Sequence, residues 1–256
     1  MINLNPFGVE EKVIVVTGAS SGIGRELSIQ LSQLGACVVL LGRDSVKLEA
    51  VKQSLHPNNK HLSYAFDLLD ENAVNEFLVD LKLHFQRIDG LVHCAGISST
   101  IALRSLTSDK LEDQFNINVK APFLLTKELV SKFKFLQEGS SVVFISSIMG
   151  MVGESGKTVY GITKGALLAG TKSLAIELAK KKIRVNTISP GVVKTPLSST
   201  SFYSQDEERY NKISELHPLG VGETTDVAWA CIYLLSDAAK WVTGSNLVID
   251  GGYTAR

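Results

Sequence analysis

Seven short apolar runs, rich in Val and Ile, alternate with helix-length amphipathic stretches along almost the whole chain, and this alternation constrains the fold more than any other feature. The runs occupy residues 12–17, 37–41, 62–67, 90–93, 141–146, 183–189 and 246–249. A strand with one wet face would alternate apolar and polar residues, whereas near-continuous apolar strands suit a parallel sheet covered by helices on both sides. Between the first two runs Ile23, Leu27, Leu31 and Leu34 recur at helical spacing, and Gly35 supplies a stop. The expected fold class is therefore α/β: a doubly wound parallel sheet of about seven strands in three α/β/α layers. No linker, repeat or low-complexity block divides the 256 residues, so one domain over 1–256 is expected. The longest departure from the rhythm, at about 197–218, follows the C-terminal end of a strand, where open α/β sheets bind ligands. It reads as a substrate lid.

Charge narrows the partners. The 26 Lys+Arg balance 26 Asp+Glu, which argues against nucleic acid or an anionic membrane, since both recruit proteins through excess positive charge. The densest basic run, Lys180 to Lys182, follows a helical pattern and reads as a favourable contact with the negative end of a helix dipole. Cys37, Cys94 and Cys231 are too scattered for a disulfide framework or metal-type spacing, which suits a reducing, cytoplasmic setting and no metal site. The N-terminal residues lack a signal-peptide pattern, and no segment reaches the ~18 apolar residues of a membrane span.

The first apolar run ends in Thr17-Gly18-Ala19-Ser20-Ser21-Gly22-Ile23-Gly24, ahead of the first helical pattern. Cβ-free positions there allow a tight turn and let a pyrophosphate approach the N–H groups of a helix N-terminus, which makes Gly18, Ser20, Ser21, Gly22, Ile23 and Gly24 candidate cofactor contacts. The second run ends in Gly42-Arg43-Asp44. Glycine stands where an NAD enzyme places a carboxylate for the ribose, roughly 20 residues beyond the turn, and the Arg43 guanidinium can pair with a 2′-phosphate. The expected cofactor is NADP(H). Asp44 is read as the N-cap of the next helix rather than as a ribose ligand.

The fifth run ends in Ser146-Ser147, and thirteen residues after Ser147 comes Tyr160, with Lys164 one helical turn further on. That spacing puts a phenol and an ammonium on one helix face. A neighbouring cation favours phenolate and so brings a weak acid toward the working range of acid–base catalysis.

With these motifs in order, the sequence resembles the short-chain dehydrogenase/reductase family, from about Glu11 to Gly251-Gly252. Residues 17–24 look like its TGxxxGxG motif, Ser147 like its catalytic serine and Tyr160 with Lys164 like its YxxxK pair. The resemblance implies a Rossmann fold and a fourth catalytic residue, Asn118, holding a water that connects Lys164 to solvent. It also implies that Asp67 and Leu68 lie at the adenine and Ala95 and Gly96 against adenosine. The segment with Pro190 and Gly191 would bind the cofactor too, holding the nicotinamide carboxamide through Val193 and Thr195, with Tyr160 and Lys164 at the nicotinamide ribose. One position departs from the pattern: His93-Cys94 replaces the usual Asn-Asn, which puts the amide bracing of neighbouring strands in question. A His93–Cys94 catalytic pair is disfavoured, because adjacent strand residues point to opposite faces.

The implied activity is NADP(H)-dependent, reversible ketone reduction by hydride transfer. The alternative from another class is a regulatory or sensor protein that holds NADP(H) with little turnover. Ile97, Met149, Met151, Val152, Val192 and Leu197 are the expected pocket wall, apolar enough for a small-molecule carbonyl on a hydrocarbon frame. The resemblance also implies a homotetramer. The small-residue run from Ala166 to Gly170 could bring helices of two copies close, or could face the sheet.

Overall fold

The computed structural model describes residues 5–199 and 207–255. Its strands are β1 (Val13–Thr17), β2 (Cys37–Gly42), β3 (Leu62–Ala65), β4 (Ile88–His93), β5 (Leu136–Ile145), β6 (Arg184–Pro190) and β7 (Asn246–Ile249). All seven join one parallel sheet in the order β3-β2-β1-β4-β5-β6-β7. The helices are α1 (Gly22–Gln33), α2 (Ser45–Gln53), α3 (Glu71–His84), α4 (Ser108–Phe115), α5 (Ala121–Lys127), α6 (Thr158–Ala179), α7 (Pro196–Ser199), α8 (Glu207–Glu215) and α9 (Thr224–Leu235). This is the doubly wound Rossmann arrangement expected from the sequence. None of these helices is long and apolar enough to cross a membrane.

Alternate residues of each strand enter opposite layers, as the pleat requires. Ile14, Val16, Val38 and Leu40 meet Leu27 and Leu31 of α1, Leu48 of α2 and Val227 of α9. Val15, Val39 and Leu41 belong to the other layer, with Leu78 of α3, Leu129 and Leu167 of α6. Gly35 closes α1 as expected, its N–H bonding Ser32 O while that of Ala36 bonds Leu31 O. Strand β5 begins five residues ahead of its apolar run, because Ser140 Oγ donates to Ile88 O (2.7 Å) and anchors a polar stretch that lacks the apolar signal.

The chain lays β1 to β3 outward on one side, then returns to place β4 beside β1, with Thr17 opposite His93. The crevice beyond the C-terminal ends of β1 and β4 is thus the point where strand order reverses, where such sheets bind their ligands.

Candidate active site

At the end of β1 the chain turns at Gly18, whose φ of +66° favours glycine; a Cβ there would sit 2.7 Å from Ala95 N. Thr17 Oγ1 accepts the Ala95 N–H (3.1 Å), so the loops after β1 and β4 are fastened to each other. Ser21 precedes α1 without capping it through its side chain, and the first turn carries no acid. The start of α1 is therefore left for an anion. Gly18, Ser20, Ser21, Gly22, Ile23 and Gly24 line a cavity of about 260 Å³ together with Arg43, Asp67, Leu68, Ala95, Gly96 and Thr195. The residues present fit a dinucleotide: a glycine-rich loop, an uncapped helix start and an exposed guanidinium share one cavity.

Arg43 makes no ion pair among the described residues, whereas Asp44 is committed locally. Its carboxylate accepts the Lys47 N–H (3.0 Å) at the start of α2 and pairs with Lys47 Nζ (3.1 Å). That backbone hydrogen bond holds the Asp44 carboxyl below its usual range. Asp44 is thus the helix cap that the sequence suggested.

Beyond β5, Ser147 Oγ accepts the Met149 N–H (3.2 Å) and keeps its own proton to donate. The short turn Ile148–Gly150 lies against α6 so closely that a Cβ on Gly150 would be 2.8 Å from the Lys164 carbonyl carbon. Ser146 Oγ donates to Lys164 O (2.8 Å), and Lys164 Nζ donates to Ile145 O (2.8 Å). These ties fix α6 on the end of β5 and set the Lys164 ammonium 5.6 Å from the centroid of the Tyr160 ring. Burial lowers the Lys164 pKa to about 8.

Ser147, Tyr160, Lys164, Pro190, Gly191 and Val193 line a second cavity of about 160 Å³, which shares Ile23, Cys94, Gly96, Ile97, Thr195 and Leu197 with the first. Asn118 lines neither cavity. It sits in a π-helical turn, Asn116–Lys120, between α4 and α5. Its Oδ1 accepts the Ile97 N–H (2.8 Å), while Nδ2 donates to Ile97 O (2.9 Å) and Thr163 Oγ1 (3.1 Å). The amide therefore braces the loop after β4 against α6.

His93 does not meet Cys94. Its ring stacks on Phe144 at 4.8 Å and its Nε2 lies 2.9 Å from Thr126 Oγ1 of α5, while Cys94 faces both cavities. Thr126 donates its proton to Pro122 O (2.8 Å), so His93 Nε2 carries the hydrogen and Nδ1 is left bare and without a partner. Burial lowers the His93 pKa to about 3 and raises that of Cys94 to about 12, so neither group is poised for thiolate chemistry. The imidazole thus ties β4 to α5 through Thr126 and to β5 only through the stack on Phe144, with no side-chain hydrogen bond to a neighbouring strand among the described residues.

Of the expected pocket wall, Ile97, Met149, Val192 and Leu197 line the second cavity. Met151 and Val152 do not. After Ser147 the turn carries Met151 outward, where its sulfur accepts a hydrogen bond from Asn246 Nδ2 (3.0 Å). Sequence reasoning missed Ser98, Ile148, Glu154, Lys157, Ile213 and Tyr253, which also line it. Only Lys157, one helical turn ahead of Tyr160, had a signal in the sequence. Part of the expected lid, residues 200–206, lies outside the described residues. Its flanks are α7 and α8, and beyond α8 the His217 Nε2 accepts the Val192 N–H (3.1 Å) while Nδ1–H donates to Ile213 O (2.7 Å). Gly170 packs within the chain against Phe123, where a Cβ would meet the ring at 2.4 Å.

The family model described as enoyl-(acyl carrier protein) reductase matches residues 18–254. The chain belongs to the short-chain dehydrogenase/reductase family. Within that family it is 32% identical over 248 residues to the NADP-dependent (R)-specific alcohol dehydrogenase of Lentilactobacillus kefiri, covering 96% of this chain and 97% of that protein. It is also 32% identical over 246 residues to the 3-oxoacyl-[acyl-carrier-protein] reductase of Thermotoga maritima, covering 95% and 98%. A solved short-chain dehydrogenase/reductase from Mycobacterium ulcerans superposes with a TM-score of 0.88 at 30% identity, covering 97% of this chain and 92% of that one. Members of this family are oxidoreductases that bind a nicotinamide cofactor, and relatives equally similar to this chain act on different substrates.

Proposed function

We propose that this short-chain dehydrogenase/reductase is an NADP(H)-dependent ketoreductase that interconverts a ketone and its secondary alcohol. The observation that carries this reading is the meeting of Ser147, Tyr160 and Lys164 on one cavity that runs into the dinucleotide cavity. The nicotinamide, when bound, supplies or accepts the hydride. Tyr160 gives its phenolic proton to the carbonyl oxygen, and Ser147 donates a hydrogen bond to the same oxygen. Lys164, buried beside the ring, stabilises the phenolate left behind and lies at the nicotinamide ribose. Asn118 fixes Ile97 and Thr163, and with them the floor of the site.

For the cofactor, Arg43 takes the 2′-phosphate, a preference supported by its exposed, unpaired guanidinium and by the commitment of Asp44 to α2. Asp67 and Leu68 hold the adenine, and Val193 and Thr195 hold the carboxamide. One sheet containing all seven strands supports a single domain over 1–256, with the segment at about 197–218 as its substrate lid. The three free cysteines fit a cytoplasmic protein, and Ile162 and Ile176, exposed on α6, fit a homotetramer.

The test is Tyr160→Phe. NADPH binding, followed by the cofactor's fluorescence, should stay nearly intact while turnover falls by ~10²-fold or more. A variant that kept most of its activity would remove Tyr160 from this role. Tight NADPH binding without oxidation across a broad ketone panel would instead favour the sensor reading.

A further inference from the structure

Lys157 occupies a place that its own helix does not explain. It immediately precedes α6, where Ser, Thr, Asp or Asn would cap the helix and where a cation opposes the helix dipole. The first turn of α6 holds no acid to compensate. The residue is only 9% exposed, yet lysines are almost never buried unless paired. Among the described residues its Nζ makes a single hydrogen bond, to Ser98 Oγ at 3.2 Å, so that two of its three N–H groups can serve a ligand in the cavity. Glu154, on the same cavity wall, attracts the ammonium but forms no ion pair with it. Burial accordingly lowers the Lys157 pKa. Among the described residues the cavity carries Lys157 and Lys164 against the one carboxylate of Glu154, an excess of one positive charge that an anion would balance.

The location says what would supply that anion. Lys157 and Ser98 line the second cavity and not the first, so the missing anion belongs to the substrate rather than to a cofactor phosphate. The Lys157 Nζ lies 5.8 Å from the Tyr160 ring centroid, close enough for one small molecule to reach both groups. Ser98 accepts from Lys157, and its own hydroxyl proton is left to donate. An N–H and an O–H side by side match the two oxygens of a carboxylate, and one ammonium balances one carboxylate charge where it would leave a phosphate dianion under-neutralised.

We propose that Lys157 and Ser98 form a carboxylate subsite, and that the substrate is a short oxo acid (in reverse, a hydroxy acid) rather than a neutral ketone. This rests on the ketoreductase reading above and deepens it. The apolar side chains Ile97, Met149, Val192 and Ile213 then enclose the short hydrocarbon body between the ketone and the acid or beyond it.

The experiment pairs short 2-oxo, 3-oxo and 4-oxo acids with their methyl esters and reads the ratio of kcat/KM, acid over ester, with NADPH. In the unaltered protein at least one acid should exceed its ester by ~10-fold or more, and Lys157→Met should lower that ratio on the order of 30-fold, with Lys157→Arg restoring part of it. The ratio cancels any general effect of the variant on folding or on Tyr160. Esters reduced as well as acids, a ratio unchanged in Lys157→Met, or a preference for phosphorylated ketones would each overturn the subsite while leaving the ketoreductase reading standing. Where no ketone is turned over, that reading fails by itself, and calorimetry still decides the subsite. Binding of butyrate to the protein loaded with NADP+ should weaken on the same order in Lys157→Met, and equal binding overturns it.

Discussion

The buried imidazole of His93 makes a measurable prediction about acid stability. In the folded chain its pKa is lowered to about 3 from an ordinary 6.5 because the ring is buried between Phe144 and Thr126. The folded state therefore holds it neutral, while the unfolded chain binds a proton below pH 6.5. A depressed folded pKa contributes stability that is present above the unfolded value and is lost as the pH falls toward the folded one. Each pH unit in that window costs about 1.36 kcal/mol per proton, so acidification from pH 7 to pH 5 removes about 2 kcal/mol through this one residue. That interval lies well above the folded pKa, so the figure does not depend on where near 3 the value falls. His93→Phe keeps the stack on Phe144, discards the unpartnered Nδ1 and cannot titrate. Urea unfolding of both proteins at pH 7 and pH 5 isolates the effect, since the other histidines cancel in the difference. The unaltered protein should lose about 2 kcal/mol more than the variant over that step. Equal losses would refute the buried, neutral imidazole.

Two further substitutions address the cofactor end. Arg43→Leu should weaken NADPH binding by about 10- to 100-fold and leave NADH nearly unchanged, as read by fluorescence titration; an equal effect on both would remove Arg43 from the 2′-phosphate. Gly18→Ala forces a Cβ to within 2.7 Å of Ala95 N at a positive φ. It should cost about 1–3 kcal/mol, seen as a fall of several degrees in the thermal midpoint, with reduced stabilisation by added NADPH.

What could be read from the chain, and what could not, follows from the range of the interactions involved. Six of the seven strands begin and end within two residues of their apolar runs, because a strand buried on both faces must be apolar throughout. The polar head of β5 was invisible because its pairing depends on Ser140 reaching Ile88. Gly18, Ser147, Tyr160 and Lys164 were legible because a turn, a strand end and one helical turn fix their spacing locally. Ser98, Ile213 and Tyr253 reach the same cavity from three separated segments, and no local pattern marks them. Met151 and Val152 were misplaced for a related reason: the tight turn after Ser147 redirects the chain within four residues.

The two cavities divide the chain almost at one point. Lining the first are mostly residues from the loops after β1, β2 and β3, joined by Thr195, Pro196 and Leu197 after β6, while most of the second comes from the segments after β5 and β6. The loop after β4, with Cys94, Gly96 and Ile97, belongs to both. On the proposed reading, the nucleotide end of the cofactor is met mainly by the first half of the chain, and the nicotinamide and the reacting carbon mainly by the second. If the two proposed roles hold, selection can retune the choice of dinucleotide near Arg43, which lines only the first cavity, apart from the substrate near Lys157, which lines only the second. A fold divided in this way lets a lineage change what it reduces while keeping the source of its electrons.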